Sequence, residues 1–255
     1  MSTTSDPTSS AQQLFDESND RSMRGWRSVI SLMLFSDVSK DPAKEKMLAQ
    51  ALSVVDSLET LAKKDVVHMK TFAADMTNTI VGNALAAVGA AGIVFGHAVM
   101  DTTMNDLLRV TSYIHPDYWT DLAADEKTVW SVRELHDLRE VLYPILIGKG
   151  IDTYVKKLTR QSLPNRVDIL NQCCRQFCKV PADPIPGYVF DLERIKRFDK
   201  IRHEIIHGAG LTGSKTDARK EVGFMRQTNA FFIALVQCAC QLKVDLNHWL
   251  SRSVR

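Results

Sequence analysis

The segment from Arg202 to His207, RHEIIH, holds residues that can bind metal, bind phosphate or transfer protons. His203, Glu204 and His207 form the pattern H-E-x-x-H, in which two histidines on one helix face can share a zinc ion and the glutamate can act as general base. Arg202 and His207 form the pattern R-x4-H. It combines a permanently charged phosphate ligand with an imidazole that exchanges protons near neutral pH. The two patterns predict different reactions for the same residues.

The zinc interpretation lacks a third protein ligand, which a catalytic zinc requires. The longer zinc-protease signature would place a third histidine at position 213, where this chain has Gly213. The nearest acid downstream, Glu221, is predicted to lie in the next helix without a recognisable second motif. Arg202 would also put a positive charge beside the first ligand. A zinc hydrolase therefore remains the less favoured alternative, and we expect no metal and no cofactor.

The elements that must position these residues are predicted to be helices. Apolar residues recur at helical spacing along most of the chain, and few segments alternate with a period of two, which indicates an all-α bundle. Asp41-Pro42 predicts the start of a helix. A long helical stretch is expected from about residue 65 to 114, with Gly82 or Gly89 as candidate break points. His115-Pro116 should end that stretch.

The second half of the chain is predicted to form four further helices. One covers residues 127–146, with Pro144 as a kink or stop, and another covers 161–180, with Pro164 in its first turn. A proline-rich loop at 181–187 follows. Asp191 is a suitable N-cap for the motif helix, whose apolar stripe comprises Leu192, Ile195, Phe198, Ile201 and Ile205. Gly208 and Gly210 should end it, and a last helix should cover about residues 217–250.

The net charge is only +2, so the overall charge of the chain does not indicate a nucleic-acid-binding protein. Residues 151–215, however, contain twelve Lys and Arg against seven Asp and Glu, so the segment around the motif is locally basic. The odd number of cysteines does not indicate a secreted disulfide framework, and we expect these residues to be buried helix-packing positions. They are Cys173, Cys174, Cys178, Cys238 and Cys240.

One segment is nearly long enough to cross a membrane. Residues 80–100 carry no formal charge. Asn83 and His97 interrupt it, and its many Ala and Gly residues contribute little to insertion, so we expect a helix buried on all sides in a bundle. The N-terminus is polar and lacks a signal-peptide pattern, which predicts a disordered tail over residues 1–13. Together these features predict a cytoplasmic protein without membrane partners.

The segment RHEIIH resembles the R-φ-x3-H motif of the HEPN superfamily, in which φ is commonly polar and is here His203. Its position late in an all-α chain, directly before glycine, agrees with that family. Residues 95–112 look like the family's first long helix. The resemblance covers roughly residues 80–250. It implies a HEPN-like up-and-down helical bundle over residues 79–255, preceded by an additional N-terminal helical region over residues 14–78.

The resemblance implies a metal-independent endoribonuclease that works as a homodimer, with Arg202 and His207 as catalytic residues at the dimer interface. The RNA 2′-OH would attack the adjacent phosphate and leave a 2′,3′-cyclic phosphate. His203 and Glu204 would support the site. Its RNA contacts would come from Lys200, Arg197 and Arg194, and a solvated helix face explains these three residues equally well. Such proteins often serve as toxins or anti-phage effectors, which implies a neutralising protein partner.

Two questions stay open at this point. Arg202 and His207 lie about 140° apart around a helix, so they do not share a face, and a second helix from a symmetric partner could complete the cleft. The direction of proton transfer is not assigned. Many HEPN relatives bind nucleotides, RNA or proteins without cutting RNA, so a non-catalytic HEPN-like binding module is the main alternative.

Overall fold

The computed structural model describes residues 7–56, 63–123, 142–177, 180, 184–185, 187–207 and 217–243. These residues contain no strand, so the predicted all-α fold class is confirmed. The helices are α1 (Pro7–Asp56), α2 (Lys63–Ile114), α3 (Pro116–Leu122), α4 (Leu142–Leu158), α5 (Leu163–Gln172), α6 (Leu192–Ile206) and α7 (Ala218–Ala239). A π-helical turn, Cys173–Phe177, extends α5.

The described residues fall into two compact units, each built from separate parts of the chain. The first comprises Met1–Arg24, Ala98–Asp199 and Met225–Arg255, and the second comprises Gly25–His97 and Lys200–Phe224. The predicted boundary at residue 79 lies inside α2. The division into a HEPN-like domain and an N-terminal extension therefore does not coincide with these units.

A buried arginine joins α2 to α5 within the first unit. The Arg166 side chain is only 3% exposed, and its guanidinium donates to the Asp101 carboxylate and to the Asn105 side-chain oxygen. A buried cation needs such partners, because an unpaired charge is strongly disfavoured in the interior. Apolar side chains complete the core of this unit, with the largest fully buried ones being Trp119, Phe15, Phe198, Phe231 and Phe232.

The start of α1 corrects the expectation of a disordered tail. Helix α1 begins at Pro7, so residues 7–13 are helical, whereas residues 1–6 lie outside the described residues. Ala11 and Phe15 are buried at a spacing of four residues. The Gln12 side chain donates to the Lys243 carbonyl at 2.8 Å and accepts from the Lys243 backbone N–H at 3.0 Å. Contacts with the far end of the chain thus stabilise a segment whose composition is that of a tail.

Two predicted helix interruptions are wrong. Helix α1 continues through Pro42, although a proline inside a helix removes one backbone hydrogen bond and disfavours the helix. Helix α2 passes through Gly82 and Gly89 without a break. Helix α4 includes Pro144 and continues to Leu158, so the kink or stop expected where the helix over 127–146 reaches Pro144 stays a prediction. The remaining part of the helix predicted over 127–146, up to residue 141, lies outside the described residues.

The glycines of α2 permit close approach rather than a break. A β-carbon on Gly89 would lie 3.1 Å from the Ala218 β-carbon, and one on Gly92 would lie 2.6 Å from the Met33 sulfur. Helices α1 and α7 therefore pack against this part of α2 within the second unit. Gly82 has no such neighbour. The end of α2 at Ile114 and the start of α3 at Pro116 confirm the expectation for His115-Pro116.

Helix α2 is also the one described helix long and apolar enough to cross a membrane, with a mean hydropathy of 1.7 in its most apolar window. Only 28% of that window is buried, which corrects the expectation of a helix buried on all sides. A membrane span, a core helix and an interface helix can have the same length and composition. The sequence alone therefore could not show which of the three α2 is.

Helix α7 ends at Ala239 instead of continuing to residue 250. Gln241 has φ +52, the left-handed region, and donates its N–H to the Cys238 carbonyl at 3.4 Å. The Leu242 N–H donates to the Gln237 carbonyl at 3.0 Å, and the Leu242 side chain is buried. These are the two hydrogen bonds of a Schellman motif. This helix end could not be predicted from the sequence, because the residue in the left-handed conformation is glutamine instead of the usual glycine.

We expect Gln241→Gly to raise the free energy of unfolding by about 0.5–1 kcal/mol. Glycine adopts the left-handed conformation without the β-carbon clash, although it loses more backbone entropy on folding. Urea denaturation measures the effect. Gln227→Gly, at an exposed position inside α7, is the matched control and should lower the same quantity by about 1 kcal/mol. A destabilised Gln241→Gly protein would contradict this interpretation of the helix end.

Asp106 makes the stability of the first unit dependent on pH. Burial raises the pKa of this carboxyl above 3.8, and the Arg21 guanidinium, with its Nη2 atom 3.5 Å from Asp106 Oδ2, opposes that rise. Because the pKa is higher in the folded than in the unfolded chain, folding takes up protons between the two values. The stabilisation from protonated Asp106 is complete below the unfolded value and is lost as pH rises through the folded value.

We therefore expect the unfolding free energy of the wild type, relative to Asp106→Asn, to be greatest at acid pH and to decline toward neutral pH. Urea denaturation of both proteins from pH ~4 to pH ~7 measures this difference. Asp121→Asn, at an exposed position, is the control for loss of a carboxylate. A difference that grows as pH rises would show that the pKa of Asp106 is lowered instead.

Candidate functional site

The motif lies on α6, which starts where the sequence predicts. The Asp191 carboxylate accepts the Arg194 N–H at 2.9 Å, and the Asp191 carbonyl accepts the Ile195 N–H at 3.3 Å. Ile195 and Phe198 are fully buried and fix the orientation of the first two turns. Asp191 is thus confirmed as the N-cap of this helix.

The end of α6 presents the motif. The helix ends at Ile206, and the His207 N–H still donates to the His203 carbonyl at 3.0 Å. Residues up to Asp199 belong to the first unit, and all four motif side chains belong to the second. Residues 208–216 lie outside the described residues, so the part played by Gly208 and Gly210 in ending the helix stays a prediction.

The structure brings two pairs of predicted site residues together. The imidazole rings of His203 and His207 have centroids 4.2 Å apart, with their planes at 47°. Lys200 Nζ lies 3.9 Å from Glu204 Oε1. The three motif residues His203, Glu204 and His207 are exposed. An exposed pair such as Lys200–Glu204 contributes only about 0.2–0.5 kcal/mol, so it does not fix Lys200 in place.

Arg202 and His207 do not meet within one chain. At about 100° per residue, Arg202 lies on the side of α6 that carries Ile195 and Phe198, and His207 lies on the side that carries Lys200. Arg202 is half-buried, and it makes no hydrogen bond or ion pair with any other residue that the structure describes. The two predicted catalytic residues therefore lie on different sides of the helix, as the angular argument requires.

Lys200, His203 and His207 form one exposed line along the end of α6, at spacings of three and four residues. We call these three residues the α6 basic stripe. The Lys200 side chain is 77% exposed. A line of this kind can follow a phosphate backbone, because ammonium and imidazole groups donate hydrogen bonds to phosphate oxygens.

The other two predicted RNA contacts differ from each other. Arg197 is exposed, whereas Arg194 is half-buried. Tyr188 lies near Arg194, and its hydroxyl shares a 2.6 Å hydrogen bond with Thr228 Oγ1. Burial raises the pKa of Tyr188, while the Thr228 hydrogen bond and the Arg194 charge oppose that rise. Because Arg194 is half-buried near Tyr188, it is a weaker candidate for RNA binding than the exposed Arg197.

The adjacent imidazoles of His203 and His207 are what the zinc interpretation requires of these two residues. Within the described part of the chain, however, no group of three or more His, Cys, Asp or Glu side chains could hold a metal ion. Glu221, the candidate third ligand, is buried and joins no such group. The described residues therefore offer two zinc ligands where catalysis needs three.

The ring of His203 lies directly beside that of His207, whereas the sequence predicted only a general supporting role for His203. Their spacing of four residues was the available signal, because residues i and i+4 are neighbours on a helix.

Comparisons with protein-family models, with curated proteins and with solved structures find no match to this chain. Membership of the HEPN superfamily therefore stays a prediction.

Proposed function

We propose that this protein is a metal-independent endoribonuclease of the HEPN type that acts as a homodimer. The observation that supports the proposal is the R-H-x3-H motif at the exposed end of α6. His207 is exposed there, and Arg202 is not committed to an ion pair with any described residue. The exposed Lys200 beside His203 and His207 adds positive charge where an RNA backbone would lie.

The proposed reaction needs only what RNA and these side chains supply. One group takes the proton of the 2′-OH, whose oxygen then forms a bond to the adjacent phosphorus. The bond from phosphorus to the 5′-oxygen breaks, and a second proton goes to that oxygen. His207 transfers protons, Arg202 binds the phosphate oxygens on which negative charge develops, and His203 orients the His207 ring by direct contact. Glu204 keeps only a supporting role, as a weak ion partner of Lys200.

A homodimer would bring together the two proposed catalytic residues, which lie apart around α6. A two-fold contact can place Arg202 of one copy opposite His207 of the other, because a contact from residue i of one copy to residue j of the second is always repeated from j to i. The proposed site then consists of two such pairs. Family resemblance adds a role as toxin or anti-phage effector and a neutralising protein partner, and the polar N-terminus without a signal-peptide pattern favours a cytoplasmic location.

The main alternative is a non-catalytic HEPN-like module that binds RNA, nucleotides or a protein. The same basic stripe would bind phosphate without cleaving it. RNA binding without any cleavage product would favour this module. Hydrolysis that is lost on chelation, together with stoichiometric zinc, would favour the zinc hydrolase.

We expect the purified protein to cleave single-stranded RNA in the presence of EDTA and to leave 2′,3′-cyclic phosphate ends. Arg202→Ala and His207→Ala should each lower the cleavage rate by at least about 100-fold, because each removes a group that acts in the transition state. Gel electrophoresis of end-labelled RNA measures the rate.

Matched controls separate loss of chemistry from loss of charge. His68→Ala and Arg226→Ala replace an exposed histidine and an exposed arginine outside the motif and should leave the rate unchanged. Undiminished cleavage by both Arg202→Ala and His207→Ala would refute the proposed site, even if the protein cleaves RNA.

We also expect Lys200→Ala to weaken RNA binding in a salt-dependent manner. Removal of one phosphate contact should reduce the slope of log K against log salt concentration by about 0.7, the value for a single strand. Fluorescence anisotropy with labelled RNA measures K over a series of salt concentrations. Lys220→Ala is the matched control, because Lys220 is 79% exposed and also has an acidic partner within its own helical turn, Asp217. Equal slopes for the two variants would remove Lys200 from the RNA interface.

A further inference from the structure

The outward side of α2 within the second unit is apolar. Four large side chains on it are exposed: Phe72 by 66%, Met76 by 44%, Ile80 by 46% and Phe95 by 56%. Between them lie small or short residues that are exposed or half-buried, namely Asn83, Ala84, Ala87 and Ala91. These eight residues span about 140° around the helix; Phe72 and Phe95 lie at the two borders of this span, and the other six lie within about 100°. We call them the α2 apolar face.

A surface of this kind requires a partner. Between Thr71 and Met100 the only charged residue is Asp75, so this exposed part of α2 lacks the charged residues of a typical surface helix. Soluble monomers rarely expose a long contiguous apolar patch, and such patches mark interaction sites. The face extends over about 35 Å from Phe72 to Phe95. It offers no cation to a nucleic acid, which distinguishes it from the α6 basic stripe.

The order of large and small residues on the face is self-complementary. Around the midpoint between Asn83 and Ala84, Met76 and Ala91 are equally distant, and so are Ile80 and Ala87. If two copies of α2 pack antiparallel about that midpoint, Met76 of one copy meets Ala91 of the other, and Ile80 meets Ala87. Met76 and Ile80 then each face an alanine, which lets the helix axes approach closely there.

The same register determines which residues lie at the ends and at the centre of the helix pair. Phe72 and Phe95 lie on opposite borders of the face, about 140° apart around the helix, so they border the contact at its ends and do not meet across it. Asn83 lies beside the two-fold axis, where the amides of both copies can hydrogen-bond to each other. A single buried asparagine in an apolar helix pair fixes register and oligomeric state. A lipid surface would require neither this alternation of sizes nor an amide at its centre.

We propose that a second copy of this chain packs antiparallel against the α2 apolar face, with the two-fold axis between Asn83 and Ala84. The face and the motif residues belong to the same unit. The interface nevertheless stands on the α2 residues alone and does not depend on ribonuclease activity.

Charge substitutions test both the surface and its register. Ile80→Lys and Ala87→Glu should each raise the dissociation constant of the dimer on the order of 100-fold, because each buries an unpaired charge at the centre of the interface. Equimolar mixing of the two variants should restore a dimer. In that mixed dimer the introduced lysine of one copy faces the introduced glutamate of the other. Sedimentation velocity without RNA measures the dissociation constants.

Asn78→Lys is the matched control, since Asn78 is exposed on another side of α2 and should leave the dimer intact. Circular dichroism should show the same helix content in all variants. A monomeric wild type at micromolar concentration would overturn the proposal, as would dimers that persist in both single variants. Failure of the mixture to dimerise would overturn the proposed register. Wild type that stays monomeric and binds phosphatidylcholine vesicles would show that lipid, not a second copy, covers the face.

Discussion

Two side chains five positions apart on an α-helix cannot lie on one face, and this constraint governs the motif of the present chain. Arg202 lies on the side of α6 that carries the buried Ile195 and Phe198, whereas His207 is exposed on the side that carries Lys200. A single copy therefore presents a proton-transferring group and an anion-binding group in different directions. The contact between the rings of His203 and His207 shows which groups one chain can bring together by itself.

The features that the sequence predicted correctly depend on local chemistry. Helical periodicity, the Asp191 cap and the end of α2 before Pro116 follow from neighbouring residues alone. The features that it missed depend on distant contacts or on atypical residues. Residues 7–13 have the composition of a tail, but burial of Ala11 and the Gln12–Lys243 hydrogen bonds keep them helical. The left-handed Gln241 ends α7 without the glycine that normally signals such an end.

The candidate site was predictable in its members but only partly in its geometry. The motif letters and the rotation per residue were sufficient to separate Arg202 from His207. The half-burial of Arg194 near Tyr188 depends on residues outside α6 and could not be read from the helix. The exposure of α2 is a similar case. Its apolar composition fits burial, membrane insertion or association equally well, and only the positions of neighbouring helices show which residues stay uncovered.

The pair of hydrogen bonds between Gln12 and Lys243 has a consequence for the order of folding. The two residues are 231 positions apart, and bringing them together from an open chain costs about 5 kcal/mol of loop entropy. Two ordinary hydrogen bonds return only about 1–3 kcal/mol. They can therefore persist only after helix packing has already brought residues 12 and 243 close. These hydrogen bonds therefore form late in folding. Amide exchange at Lys243 would report when the two distant segments of the chain come together.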